Sequence, residues 1–267
     1  MKTKLTDYDK VIETLFREKC KGKSGNELAV IDFNKDEVVA IAKKLRITIR
    51  NVPDIVYTYR SRSSLPDSIR AKGNWFIQPK GKGKFAFVRT KRDPFIQIQE
   101  GLASIEILNA LPEIVEKYTA YDEQGLLSTI RYNRLVDVFT EITCFHLQSH
   151  IRTTVKGGQI EVDDLYIGID QDGVTYILPL EAKSPDERDK LNWVQASNMV
   201  LYARQKFPHL ICRPLAAKPI DRNRIYLMEF ENNPDFEKIK IKNIRLYKLF
   251  RGKKQSALDN NHMPNKL

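Results

Sequence analysis

Apolar residues recur at helical spacing through the first quarter of the chain. A helix over 8–19 would carry its apolar side chains on one face: Val11, Ile12, Leu15 and Phe16. Asn34 and Glu37 have the spacing of a capping box, which predicts that a second helix begins there. Its apolar positions would be Val38, Ile41, Ala42 and Leu45. A third helix is expected at about 51–62, with Pro53 in its first turn.

The period then changes from helical to strand-like. NWFIQP and KFAFVRT are short aromatic and β-branched runs, separated by a Gly–Lys tip at 80–84. This pattern predicts a β-hairpin over about 75–90 with a basic loop. Three short helices followed by a basic hairpin is the order of a winged helix-turn-helix domain. We therefore expect such a domain over 1–94, with 51–62 as its recognition helix.

The rest of the chain alternates between helical and strand-like patterns. A helical connector is predicted for 95–128. A longer helix is predicted for about 133–150, with an apolar stripe of Leu135, Val138, Ile142 and Phe145. Two strand-like runs, QIEVDDLYIGI and VTYILPLEAK, flank Asp172-Gly173, a strong hairpin signal. A helix over about 187–206 and strands at 224–230 and 239–249 follow. The expected fold class is α/β, with a mixed β-sheet flanked by helices in a domain over 129–252 and a polar tail at 253–267.

The net charge of +11 is concentrated in one part of the chain. Residues 35–94 contain 15 basic and five acidic residues, a net charge of +10. A second basic run, 238–254, has eight Lys or Arg and no acid. Such a block is typical of a protein that binds a polyanion. Double-stranded DNA is the default candidate for that polyanion. The alternative is a basic surface that serves only solubility. The candidate DNA-binding residues of the block at 35–94 are Arg50, Arg60, Arg62, Lys80, Lys82 and Lys84.

Composition excludes several other classes of protein. The apolar stretches are shorter than the roughly 20 residues of a membrane span, and the first ten residues lack a secretory h-region. Three widely spaced cysteines, Cys20, Cys144 and Cys212, argue against a disulfide scaffold or a zinc ribbon. We therefore expect a cytoplasmic protein that does not engage a membrane.

The predicted hairpin concentrates the candidate chemistry. Its first strand contains Glu161, Asp163 and Asp164, and its second ends in Leu180-Glu181-Ala182-Lys183. Side chains alternate along a strand, so Glu181 and Lys183 share a face, and pairing can bring Asp163 or Asp164 beside them. Neighbouring carboxylates repel each other unless a cation lies between them, and Mg²⁺ prefers such oxygens. A nearby lysine can then assist a water that attacks phosphorus.

An acidic strand followed by Glu-x-Lys on a hairpin resembles the PD-(D/E)xK nuclease superfamily. The stretch 146–183 is similar to a branch of type II restriction endonucleases in which an acidic strand precedes a (Gln/Glu)-Ala-Lys strand. The resemblance implies a restriction-endonuclease-like fold, with Asp163 and Glu181 as ligands of Mg²⁺ and Lys183 as the catalytic lysine. Asp164 replaces Asp163 if the register slips by one residue. Val162 stands where the family name has proline.

Other polar residues are weaker candidates for the same site. Glu161 lies on the acidic strand, Glu141 lies at the margin of the helix predicted for 133–150, and Gln195 lies on the helix after Lys183. A surface acid is the alternative interpretation of Glu141, and a polar helix margin is the alternative for Gln195.

The pattern as a whole predicts a Mg²⁺-dependent DNA endonuclease, first of all a type II restriction enzyme. Cutting both strands of a palindrome would favour a homodimer, since the two-fold symmetry of protein and site would match. A structure-selective repair or mobile-element nuclease is the enzymatic alternative. A non-catalytic winged-helix DNA-binding regulator is the third.

Overall fold

The protein is described here by a computed structural model, which covers residues 5–23, 29–48, 51–155 and 158–252. Within these ranges the helices are α1 (Asp7–Cys20), α2 (Lys35–Lys44), α3 (Val52–Tyr57), α4 (Asp67–Arg70), α5 (Glu113–Tyr118), α6 (Glu123–Tyr132), α7 (Leu135–Thr140) and α8 (Trp193–Lys206). The strands are β1 (Val30–Asn34), β2 (Asn74–Gly81), β3 (Lys84–Thr90), β4 (Ser104–Leu108), β5 (Thr143–Val155), β6 (Gly158–Ile169), β7 (Thr175–Ala182), β8 (Ile211–Cys212), β9 (Leu215–Pro219), β10 (Arg224–Phe230) and β11 (Ile241–Phe250).

An N-terminal unit packs α1–α4 against a three-stranded sheet of order β1-β3-β2. Phe16 of α1 anchors its core and contacts Trp75 and Phe87 edge-on, with ring centroids 5.0 and 5.1 Å apart. The three predicted helices and the hairpin are present. The third helix continues from α3 into a π-helical turn over Thr58–Arg62. The sequence pattern missed β1 and α4.

The predicted capping box at the start of α2 is confirmed. The Asn34 side chain accepts a hydrogen bond from the Glu37 amide (3.0 Å), and the Glu37 carboxylate accepts one from the Asn34 amide (2.9 Å). We expect Asn34→Ala to lower the free energy of unfolding by about 1 kcal/mol, because the Glu37 amide at the helix terminus loses its side-chain acceptor. Urea denaturation measures this loss. Asn34→Asp, which keeps the capping oxygen, is the control, and an equal loss in that variant would contradict the capping explanation.

The second unit is a large mixed sheet flanked by helices. Its strand order is β4-β11-β10-β9-β7-β6-β5, and β8 pairs with β7 off this path. The β9–β7, β8–β7 and β4–β11 pairs are parallel, and the others are antiparallel. Helix α8 covers one face of the sheet, and α6 and α7 cover the other. The α/β class with a mixed sheet between helices is therefore observed.

The two units contact each other through a small set of side chains. The Arg92 guanidinium lies 4.0 Å from the ring centroid of Trp193 and donates a hydrogen bond to the Ile239 carbonyl (2.8 Å). Phe76 of β2 contacts Phe236 edge-on at 5.1 Å. These contacts hold β2 against the large sheet beside β6.

One helix predicted in the second unit is wrong, and two other predicted segments differ from the structure in their helical extent. The helix expected over 133–150 is helical only in α7, and residues 143–155 form β5. The connector expected to be helical over 95–128 contains α5 and the start of α6. It also contains a strand, β4, which pairs in parallel with β11. The helix expected from 187 begins at Trp193, where Asn192 caps it. The predicted strands at 224–230 and 239–249 match β10 and β11, while β8 and β9 were not predicted.

None of the helices in the described ranges is long and apolar enough to cross a membrane. The polar tail expected at 253–267 lies outside the described residues.

Candidate active site

The candidate site lies where the ladder between β6 and β7 opens. The last residue pair of that ladder is Asp164–Leu180, so Asp163 and Glu181 come directly beyond it. From Leu180 onward β7 pairs in parallel with β9 on its other side. The Ala182 amide donates a hydrogen bond to Asp163 Oδ2 (2.7 Å), which ties the acidic strand to the Glu181-Ala182-Lys183 segment.

Glu181 and Lys183 form a buried ion pair on the α8 side of the sheet. Lys183 Nζ lies 2.7 Å from Glu181 Oε1, and the two residues are 4% and 5% exposed. Gln195 Nε2, from α8, donates to the same Glu181 oxygen. Asn192, the cap of α8, donates to Gln195 Oε1 (2.7 Å) and so holds the amide in that orientation. Leu180 and Ala182 pack into the core on the opposite face, as the alternation of side chains predicts.

A loop after β7 brings a further carboxylate to the lysine. Asp189 Oδ1 lies 3.7 Å from Lys183 Nζ, and Asp189 Oδ2 accepts a hydrogen bond from the Ser184 amide (2.7 Å). Lys218 of β9 donates to the carbonyls of Ser184, Asp186 and Asp189 at 2.6, 2.8 and 2.8 Å. This single ammonium therefore fixes the loop that presents Asp189.

Two acids that line the cleft, Asp163 and Glu123, resist ionisation. Burial, together with the nearby charge of Glu181, raises the pKa of Asp163 to about 8. Burial and the charge of Asp189 raise the pKa of Glu123, at the first turn of α6, to about 7. Burial disfavours the ammonium form of Lys183, but the charges of Glu181 and Asp189 outweigh it and raise the pKa of Lys183. The site thus contains more carboxyl groups than one lysine can neutralise.

A cleft of about 320 Å³ separates this cluster from the N-terminal unit. Asp163, Glu181, Lys183 and Gln195 line it from the sheet and α8. Residues 75–79 of β2 line the opposite side, together with Arg60 from the π-helical turn. The candidate catalytic residues therefore face a bounded space between the two units.

Asp164 lies on the other face of β6, away from Glu181 and Lys183. It is fully buried and accepts hydrogen bonds from Arg131 Nε (2.9 Å) and Ser149 Oγ (2.8 Å). His146 and Tyr166 complete its surroundings at 3.3 and 3.2 Å. Of the two adjacent acids, the structure brings only Asp163 to the lysine.

The weaker candidates from the sequence divide between the site and the surface. Glu161 lines the cleft and pairs with Arg152 at 3.1 Å, and Gln195 contacts Glu181. Glu141 does not reach the site: it ends α7 in the left-handed region (φ 60°), is exposed, and pairs with Arg245 (3.1 Å). The expectation that Glu141 lies on a helix beside the metal site depended on the helix that the structure replaces with β5.

The predicted DNA-binding residues lie on two surfaces. Lys80, Lys82 and Lys84 are exposed at the hairpin tip, where Lys80 pairs with Asp32 (2.6 Å). Arg60 instead lies in the cleft, and its Nη2 donates to the Gln159 carbonyl (2.9 Å). Arg50 and the side chain of Arg62 lie outside the described residues.

The donor set of the cleft fits a hard divalent cation. Within the described ranges, no group of three or more His, Cys, Asp or Glu side chains is arranged as a metal site. Mg²⁺, however, binds proteins through one or two carboxylates and keeps several waters. Asp163 and Glu181 supply that number. Burial and, after it, the charge of Glu181 raise the pKa of Asp163, and a cation between the two carboxylates would relieve that repulsion. These two residues would hold the ion.

The raised pKa of Asp163 predicts how the metal-free protein responds to pH. An aspartate titrates near 4 in the unfolded chain, whereas Asp163 titrates at about 8 in the folded protein. Between these values the folded state binds the extra proton, so its stability falls as the pH rises. We expect this group to remove about 2 kcal/mol from the free energy of unfolding between pH 5 and 8, allowing for solvent in the cleft.

Denaturant titrations in EDTA at several pH values measure this effect. The control is Asp163→Asn, which cannot ionise and should show a smaller loss of stability between pH 5 and 8. Identical pH profiles for the two proteins would contradict the assignment.

Sequence patterns did not identify Glu123, Asp189 or Lys218 as parts of this cluster. Glu123 lies in the segment expected to be a connector. Asp122 is a residue type that caps helices, and it was a weak sequence signal for the start of α6, where it accepts a hydrogen bond from the Gly125 amide (2.9 Å). Asp189 and Lys218 reach the site through the loop after β7 and the β9–β7 pairing, which no local motif encodes.

Comparison with known proteins finds no matching family model, no matching curated protein and no matching solved structure.

Proposed function

We propose that the protein is a Mg²⁺-dependent DNA endonuclease, and first of all a type II restriction enzyme. The observation that carries the proposal is the convergence of Asp163, Glu181 and Lys183 at the point where β6 and β7 separate, facing a cleft. An acid, a second acid and a lysine in this arrangement form the set of groups that phosphodiester hydrolysis by the PD-(D/E)xK superfamily requires. The large mixed sheet between helices is consistent with a restriction-endonuclease-like domain.

Each residue of the set has a distinct role in the proposed reaction. Asp163 and Glu181 would hold Mg²⁺, which supplies Lewis-acid stabilisation of the charge that develops on the phosphoryl oxygens. Lys183 orients the attacking water and stabilises negative charge at the reacting phosphate. Gln195 orients Glu181, and Asp189 and Glu181 together keep Lys183 charged in the resting site. The products would carry 5′-phosphate and 3′-hydroxyl ends.

The N-terminal unit is proposed to be a winged-helix DNA-binding domain. Its helices precede an exposed hairpin whose tip carries Lys80, Lys82 and Lys84, and lysines in such a loop suit phosphate contacts. Double-stranded DNA is therefore the proposed partner. A homodimer is proposed because cleavage of both strands of a palindrome requires two symmetry-related sites.

Digestion of phage DNA by the purified protein tests the proposal. In Mg²⁺ we expect discrete fragments with defined ends, and in EDTA we expect no cleavage. Cleavage confined to branched or damaged DNA would instead indicate a structure-selective nuclease. Binding of DNA without cleavage in any divalent cation would favour a DNA-binding regulator and contradict the nuclease proposal.

A further inference from the structure

The cleft beside the catalytic residues is small and aromatic. Its volume of about 320 Å³ is that of a pocket for a small ligand. Its aromatic lining comes from both units of the protein: Tyr57, Tyr59, Trp75, Phe76, Phe95 and Phe236. Glu181 and Lys183 are 5% and 4% exposed, so the outer surface of a stacked duplex cannot reach them through this space. A single nucleotide that leaves the stack can.

One wall of the cleft offers hydrogen-bonding groups that lack partners. Strand β2 has β3 as its one neighbour in the sheet that the structure describes, and residues 75–79 of β2 line the cleft. Backbone N–H and C=O groups along the free edge of a strand are available to a ligand.

The opposite wall is polar. The amide side chains of Asn192, Gln195 and Asn198 line it beside Asp163 and Lys183, and Arg60 adds a cation to the same space. Aromatic surfaces, amides and an unpaired strand edge are the groups with which proteins stack an extruded base and read its hydrogen-bonding edge. A cation suits its phosphate.

We propose that the cleft binds one unpaired nucleotide of the DNA, with its base against the aromatic wall and its phosphate at Lys183. The inference deepens the proposed nuclease function and rests on it. The enzyme acts on a nucleotide that has left the double helix, so its preferred DNA is one in which extrusion costs least.

Binding to two matched DNAs tests this proposal. The first is a short, fully paired duplex, and the second is the same duplex with one unpaired nucleotide at its centre. With the full-length Asp163→Asn protein in Mg²⁺, which is not expected to cleave and keeps Lys183, fluorescence anisotropy should show about tenfold tighter binding to the second DNA. Equal affinity for the two DNAs would contradict the proposal that the cleft binds an unpaired nucleotide.

Cleavage by the wild-type protein, measured on the same DNAs, separates this inference from the proposed function. Cleavage accompanied by equal affinity for the two DNAs would contradict nucleotide binding in the cleft and leave the nuclease proposal standing. Preference for the unpaired nucleotide without cleavage of either DNA supports the pocket and contradicts the nuclease proposal.

Phe76→Leu tests the aromatic wall of the pocket itself. This change removes a ring that lines the cleft and keeps an apolar side chain against Phe236. We expect the preference for the unpaired nucleotide to fall about fivefold, because stacking of a base on an aromatic ring is lost. Tyr118→Phe, on an exposed helix outside the cleft, is the control. A preference unchanged by Phe76→Leu would contradict stacking of the base on this wall.

Discussion

Replacing Lys183 with glutamine is expected to lower the rate of DNA cleavage by about a thousandfold. Lys183 is the cation at the centre of the site, 2.7 Å from Glu181 and 3.7 Å from Asp189. Glutamine keeps a donor for Glu181 but removes the charge that orients water and stabilises the reacting phosphate. Single-turnover cleavage in saturating Mg²⁺ measures the chemical step directly.

Binding of fully paired DNA should change little in this variant, because the exposed basic residues of the N-terminal unit are untouched. Lys206→Gln provides a matched control, since Lys206 is an exposed lysine in the last turn of α8. We expect the control to cut at the wild-type rate. Cleavage by Lys183→Gln within tenfold of the wild type would contradict the role assigned to the lysine.

The adjacent acids Asp163 and Asp164 should respond to the same substitution in opposite ways. Asp164→Asn is expected to lower the free energy of unfolding by about 3 kcal/mol, because it removes the buried negative charge that faces Arg131 and one of the two oxygens to which Arg131 donates. Asp163→Asn keeps an oxygen for the Ala182 amide and removes a carboxylate that Glu181 disfavours. Its stability in EDTA at pH 8 should equal or exceed that of the wild type.

Urea denaturation of the two variants side by side gives the comparison. Each variant is the control for the other, since the chemical change is identical and the positions differ by one residue. A large loss of stability in Asp163→Asn, with none in Asp164→Asn, would mean that the faces of β6 are assigned the wrong way round.

The sequence predicted the central hairpin because its signals are local. Asp172-Gly173 between two apolar runs specifies the turn, and the alternation of side chains then places Glu181 and Lys183 on one face. The sequence left the choice between Asp163 and Asp164 open, because one step of register exchanges the two faces. The hydrogen bonds of Arg131 to Asp164 resolve it in the structure.

The prediction of a helix over 133–150 was wrong because the apolar residues that suggested it do not all lie on one buried face. Val138 and Phe145, two members of that stripe, are 43% and 58% exposed. Glu141 adopts a positive φ of 60°, which ends α7 and allows the chain to enter β5. Strand β5 then pairs along β6. Long-range pairing therefore overrides the local helical period.

The charge pattern showed which part of the chain is basic but did not predict where each basic side chain lies in the structure. The basic block at 35–94 coincides with most of the N-terminal unit, and its hairpin tip is exposed. Arg60 was expected on a recognition helix and instead lines the cleft beside Asp163 and Glu181, because the π-helical turn places it against β6. No local pattern could reveal that contact between distant segments.

The most direct test of the proposed function is cleavage of supercoiled plasmid by the wild-type protein and by Asp163→Asn, each in Mg²⁺ and in EDTA. The proposed site predicts nicked and linear products only for the wild type in Mg²⁺. Cleavage by Asp163→Asn at the wild-type rate, or wild-type cleavage that persists in EDTA, would contradict a metal-dependent nuclease site built on Asp163, Glu181 and Lys183.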